Sequence, residues 1–232
     1  MAGTPITQFA IDEDKMSALR ECMTSYDVGP PNAEWPNNIL STKTVVYEDG
    51  LITREGQSPP RAIDPDELQR CKKLAAEAHA IMGNVDVGMG SESCDPFHEF
   101  FIAGRIDEVA AKKIDAALIQ TKFGGTIFPL ATITVEPLVE SGTWWSEVKH
   151  DGSESGDEYF LPWRAMMKWF RNQPDFLDTA FVRIGDCGEL QEIDNADYPP
   201  GTEITGCVLP RLALGLTRGG SLIGLFGYSV QT

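Results

Sequence analysis

The feature that most narrows the fold lies at the end of the chain. Residues 204–232 hold two arginines and no acidic residue, in a protein of formal net charge −16. A stretch that excludes carboxylates from so acidic a chain reads as core. Within it Val208, Leu212, Leu214 and Leu216 share one face of an extended segment, and Leu222, Phe226, Tyr228 and Val230 share one face of a second. Arg218-Gly219-Gly220 separates the two. Period-two alternation on both sides of a glycine turn predicts an antiparallel hairpin, and a hairpin this apolar needs a covering layer.

The covering elements carry helix signals. Asp64 can cap a helix, Pro65 fits its first position, and Glu67 completes an Asp-x-x-Glu capping box. Leu68, Cys71, Ala75, Ala78 and Met82 then form an apolar stripe, and Gly83 supplies a stop. A second helix is expected from Asp107 to about Thr121, with Val109, Ala110, Ile114, Ala117 and Leu118 facing inward and Gly124-Gly125 ending it. A third is expected over Trp163–Phe170, behind Pro162. Ile127–Val135 reads as a strand disturbed by Pro129, and Ala180–Ile184 as a short one. Helices mixed with antiparallel strands imply an α+β fold, a sheet covered by helices.

Residues 1–63 read as a weakly structured N-terminal extension, with a domain over 64–232. The extension has a possible helix at Asp14–Met23 and a strand and turn from Val45 towards Thr53. Gly29-Pro30-Pro31, Trp35-Pro36 and Ser58-Pro59-Pro60 punctuate it.

Composition excludes several function classes. With 42% hydrophobic and 23% charged residues the chain is of ordinary globular composition. Thirty-five acids against 19 basic residues repel a phosphate backbone, so direct nucleic-acid binding is not expected. The same charge favours approach to a basic surface, although solubility alone would also account for it. Five cysteines without a CxxC spacing argue against a disulfide framework and a zinc knuckle. No secretory signal or membrane-length apolar run is visible, so no membrane association is expected and the expected compartment is the cytoplasm.

Catalytic motifs are incomplete. His98-Glu99 begins an HExxH zinc motif, but Ile102 stands where the second histidine belongs. Cys94 and His98 have the spacing of a helical nucleophile–base pair, yet Asp95-Pro96 lies between them and packing is the plainer reading. Asp151-x-Ser153-x-Ser155-Gly156-Asp157 starts like a calcium loop, but Pro162 occupies the twelfth position, leaving an exposed acidic loop. Gly88-Met89-Gly90 reads as a tight turn rather than a phosphate loop, because no basic residue or helix start is near. Trp144, Trp145, Trp163 and Trp169 lie among acids, as at a sugar site, but the helical spacing favours core, with Trp144 or Trp145 as the members expected at the surface. A hydrolase using Cys94 with His98 or the acidic tryptophan-rich region, and a non-enzymatic scaffold, are the alternatives kept open.

Two stretches carry a family resemblance. Met89-Gly90-Ser91-Glu92-Ser93-Cys94-Asp95-Pro96-Phe97, following the helix of Glu67–Met82, is similar to the Ser-Glu-Ser-x-x-Pro-Phe segment of the nuclease A inhibitor (NuiA-like) family. Thr217-Arg218-Gly219-Gly220-Ser221-Leu222-Ile223-Gly224 and the final strand to Thr232 resemble that family's closing hairpin. Phe181–Gly185 and Trp163–Phe170 fall where its preceding strand and last helix stand. The likeness covers about residues 64–232, discontinuously. It implies an α-β-α sandwich with a largely antiparallel sheet, a non-enzymatic inhibitor that plugs a sugar-nonspecific, metal-dependent ββα nuclease. By position Glu92, flanked by Ser91 and Ser93, would engage the partner's basic surroundings. Thr232, beside Gln231, would complete the partner's metal site, and no cofactor of the chain's own is implied. A carboxylate and a hydroxyl are hard oxygen ligands, suited to a divalent cation in place of a phosphate. Gln231 departs from the family's acidic residue at that position.

Overall fold

A five-stranded antiparallel sheet organises the chain. In the computed structural model residues 3–24, 39–57, 60–90, 95–129, 131–153, 155–185 and 207–231 are described, the side chains of residues 20–24, 207 and 231 excepted. The elements are α1 (Glu13–Thr24), β1 (Thr44–Val46), β2 (Ile52–Arg54), α2 (Pro65–Met82), β3 (His98–Ile102), α3 (Ala116–Lys122), β4 (Ile133–Pro137), α4 (Gly142–Gly152), α5 (Leu161–Asn172), β5 (Phe176–Ile184), β6 (Cys207–Thr217) and β7 (Leu222–Gln231). A 3₁₀ turn, Asp157–Phe160, leads into α5. The sheet order is β3-β7-β6-β5-β4, and β1 and β2 form a separate hairpin. The fold is α+β, and no helix among the described residues is long and apolar enough to cross a membrane.

The alternation that predicts the hairpin also separates the two faces of the sheet. Val208, Leu212, Leu214 and Leu216 of β6 and Leu222, Phe226, Tyr228 and Val230 of β7 are buried in one cluster with residues of α1, β1, β2 and α3. Their neighbours Ala213 and Leu225 face the other way, into a cluster with α2, α4 and α5. Ile223 joins Phe101 against Leu68, Cys71 and Ala75 of α2. Helices therefore cover one face of the sheet, while α1, α3 and the β1–β2 hairpin cover the other.

The expectation of a weakly structured extension gives way here. Met16, Leu19, Val45, Val46 and Ile52 are buried in the same cluster as the sheet. Arg61 fastens this segment: its Nε lies 2.9 Å from Asp49 Oδ2. Its guanidinium sits 4.9 Å from the Phe9 ring centroid and 4.5 Å from that of Tyr47. Burial raises the Asp49 carboxyl above its usual range, with Arg61 opposing, and burial lowers Arg61. The Ala103 N–H donates to Asp49 O, tying the hairpin to the exit of β3. Pro-rich punctuation marks breaks in secondary structure, not the edge of a core.

Three local expectations are corrected by long-range contacts. Asp64 caps α2 by accepting from Asp66 N at 2.9 Å. Glu67 does not close the capping box; its Oε1 accepts from Thr217 Oγ1 at 2.8 Å and Ser221 Oγ at 2.6 Å. The helix expected over 107–121 is only Ala116–Lys122, capped by Asp115 accepting from Leu118 N. Upstream of it Asp178 takes the Ile114 N–H at 2.7 Å and Lys122 pairs with Glu108 at 2.8 Å. Side-chain links thus hold residues 105–115 outside helical geometry, and Val109, expected inward, is 94% exposed. The strand expected over 127–135 splits at Pro129: Ile127 makes one isolated bridge to Leu40, and β4 begins at Ile133.

The tryptophans are corrected in one respect. The core reading holds for Trp144 and Trp145, but neither is the exposed member expected of the pair: both are buried in α4, where Trp144 stacks on Phe181 with ring centroids 4.6 Å apart. The start of α4 is capped from another element: Glu136 of β4 accepts from Thr143 N at 2.7 Å and Trp144 N at 3.2 Å. A carboxylate at that end also complements the helix dipole.

Candidate functional site

The register of β3 against β7 defines one end of the sheet as the place to look. His98 pairs with Phe226 and Ile102 with Leu222, whereas β7 continues past that register to Gln231, which pairs with Cys207. The last residues of β7 therefore lie at the end from which the chain enters β3. Gly227 holds the entry close: a Cβ there would stand 2.7 Å from Val87 Cγ2 and 2.9 Å from Phe97 Cδ1.

Ser91, Glu92, Ser93, Cys94 and Thr232 lie outside the described residues. Gln231 is the last residue of β7, and its side chain is not described. What is described is how the chain is fastened on both sides of 91–94. Before it, Gly90 N donates to Asp151 Oδ1 at 2.8 Å, and Met89 is buried with a φ of 52°. After it, Asp95 O accepts from Val87 N at 2.8 Å, and Pro96 bridges to Asp86. The tight turn expected at 88–90 is present. Gly88 leaves room for the carboxylate behind it, because a Cβ there would come within 2.2 Å of Asp151 Oδ2. Asp151, read from the sequence as the start of an exposed acidic loop, is instead in the last turn of α4 and fastens the turn before 91–94.

Two carboxylates at this end, Asp86 and Asp151, act on the Tyr159 phenol. Burial pushes the Tyr159 phenol up to about 12, with Asp151 and Asp86 adding to the rise. The phenol stays neutral at ordinary pH. His98 is exposed in β3, an extended segment, so the HExxH and Cys–His spacings do not fall on a helix. Cys71 is fully buried and its thiol is pushed to about 12, chiefly by burial, which makes it unreactive. Among the described residues no three His, Cys, Asp or Glu side chains gather into a metal-holding group.

At the opposite end of the hairpin stands a cluster that the sequence reading did not include. Glu67 accepts from Thr217 Oγ1 and Ser221 Oγ and pairs with Arg70 Nη1. Ser221 Oγ in turn accepts from Gly104 N at 2.9 Å. Gly104 must lack a side chain, since a Cβ would lie 2.0 Å from Gly219 O. All these groups find partners within the fold, so the cluster reads as a clamp on the β6–β7 turn. The sequence signal was the pairing of Thr217 and Ser221 around Gly219-Gly220, two hydroxyls that a buried turn has to satisfy.

Neither a model of a known protein family nor a curated protein matches this chain in sequence.

Proposed function

We propose that the chain is a non-enzymatic binding protein that occludes the basic, cation-containing active site of a metal-dependent nuclease, in the manner of the NuiA-like inhibitors it resembles. One observation carries the reading: the described flanks of the Ser-Glu-Ser segment and the last residues of β7 sit at the same end of the sheet, on neighbouring strands. Glu92 supplies a carboxylate for an arginine or lysine that would otherwise hold the scissile backbone. Thr232 supplies a hydroxyl and, where it ends the chain, a carboxylate for the partner's divalent cation. The acidic balance of the chain speeds the encounter, and added salt slows it. The site of action in this reading is the cytoplasm.

The test is a titration of DNA cleavage by a ββα-metal nuclease with wild type, with Glu92→Gln and with a chain lacking Thr232. Stoichiometric inhibition by wild type, weakened in both altered chains, is the expected result. A cleavage curve that wild type leaves unchanged overturns the reading. Cys94→Ala separates it from the hydrolase alternative, because inhibition by occlusion does not need the thiol.

A further inference from the structure

Between α1, the β1–β2 hairpin and β3 lies a cavity of about 60 Å³. Its apolar lining includes Leu19, Val46, Ile52, Phe100 and Phe226, none of them more than 8% exposed. Protein interiors are normally packed without such space. On the same measure a water-sized group takes roughly 10–15 Å³, so the cavity has room for about four or five carbon-sized groups. A wall without polar partners does not hold water well, and an aliphatic group would recover the missing dispersion contacts.

The lip has a different character. Lys15 stands there with its side chain 33% exposed, its Nζ 3.2 Å from Asp12 Oδ2 and 4.2 Å from the Phe101 ring centroid. An ammonium has three donors; Asp12 and the ring face engage two directions and leave the third for a ligand. Exposed His98 also borders the cavity. Glu99 borders it too, on the strand face that carries Phe101, and among the described residues no ion pair joins it to Lys15. Asp49, the other carboxylate that interacts with Lys15, is held by Arg61. An apolar pocket beneath a half-exposed cation matches a ligand with an aliphatic tail and an anionic head.

We infer that this cavity is a binding site for a short, branched aliphatic monocarboxylate, its tail among Leu19, Val46 and Ile52 and its carboxylate on Lys15. The inference does not depend on the inhibitory reading, although the cavity borders the start of the β3–β7 pairing at His98 and Phe226. Tails longer than about five carbons exceed the space, which excludes membrane-lipid chains as whole ligands.

The probe is sodium isocaproate, titrated into the methyl-labelled full chain and followed by NMR. Saturable shifts of the Leu19, Val46 and Ile52 methyls are expected, with millimolar affinity for so few contacting atoms. Isocaproamide, the neutral isostere, should bind about fivefold more weakly, and Lys15→Gln should weaken the acid about fivefold while leaving the amide unchanged. Ala18→Met, which places a longer side chain on the cavity wall, should weaken both; the methyl spectrum itself reports whether that variant is folded. The inference is overturned if the three methyls show no saturable shift, if the shifts fall elsewhere in the protein, or if the amide binds as tightly as the acid.

Discussion

The two ends of the β6–β7 hairpin are built on opposite terms. At the turn, Glu67 of α2 gathers Thr217 and Ser221, Ser221 reaches Gly104, and Glu67 is 7% exposed. At the open end β7 runs beyond the start of β3, and the chain entering β3 is fastened by backbone bonds and by Asp151. One end binds its polar groups inward; the other carries its distinctive polar sequence between fixed points. Anchoring a turn in this way stiffens the hairpin from one side, so that whatever the far end presents is held in place with little conformational entropy to lose on association.

The largest effect should come from the clamp. Glu67→Ala removes the acceptor for two buried hydroxyls, and unmet buried donors are costly. A loss of about 2–4 kcal/mol is expected in chemical denaturation, with an unchanged denaturant slope. A loss under about 0.5 kcal/mol would show that the clamp is not what secures the turn.

The next effect is a pH dependence at the same end. Cys71 faces the clamp, and its thiol is raised from 9.0 to about 12, mainly by burial, with a hydrogen bond involving Ser221 working the other way. Between those values the unfolded chain releases the proton and the native state keeps it. The stabilisation is therefore full below pH 9 and is lost as pH rises towards about 12. Wild type should lose about 1.4 kcal/mol per pH unit relative to Cys71→Ala across that window, read from denaturation midpoints. Parallel curves for the two proteins would mean that the thiol is open to water.

How much of this was legible in the sequence follows from the range of each interaction. The hairpin and α5 are written in short-range periodicity, and α2 adds its own cap and stop, so these elements emerge close to their bounds. The role of Glu67 was hidden because Asp-x-x-Glu looks the same whether the glutamate turns to its own helix or to a hydroxyl 150 residues away. Helix α4 was invisible for a related reason: Glu136, on a neighbouring strand, caps it, and Ser141 makes no side-chain cap bond. The helix expected from residue 107 was over-read, since apolar spacing does not reveal that Asp178 and Glu108 hold that stretch by side chains. At the candidate site the turn at 88–90 was legible, but the acceptor for Gly90 was not. Asp151 resembled the first ligand of a calcium loop, and only the fold turns it towards Gly90.

A smaller effect is expected where the open end is fastened. Asp151→Ala deletes the acceptor for Gly90 N, a single bond at an exposed position, and should cost about 1 kcal/mol. The informative measurement is local. Hydrogen exchange at Gly90 should rise while exchange at β6–β7 amides holds, and nuclease inhibition should weaken without loss of fold. If exchange rose across the whole sheet instead, Asp151 would belong to the core and the contrast between the two ends would fail.

The smallest stability effect, and the sharpest contrast with the clamp, concerns Thr232. A hairpin held at its turn and along ten paired positions, Cys207↔Gln231 to Leu216↔Leu222, has little need of one residue beyond the pairing. Removing Thr232 should therefore change the unfolding free energy by less than about 0.5 kcal/mol. If that residue touches a partner's cation, the same deletion should abolish most inhibition, since a lost ligand on a desolvated metal is not replaced by the side chains behind it. Stability kept and inhibition lost is the joint signature of a presented end. Stability lost by more than about 1 kcal/mol would make Thr232 part of the fold, and inhibition kept would leave Glu92 as the group that engages the partner.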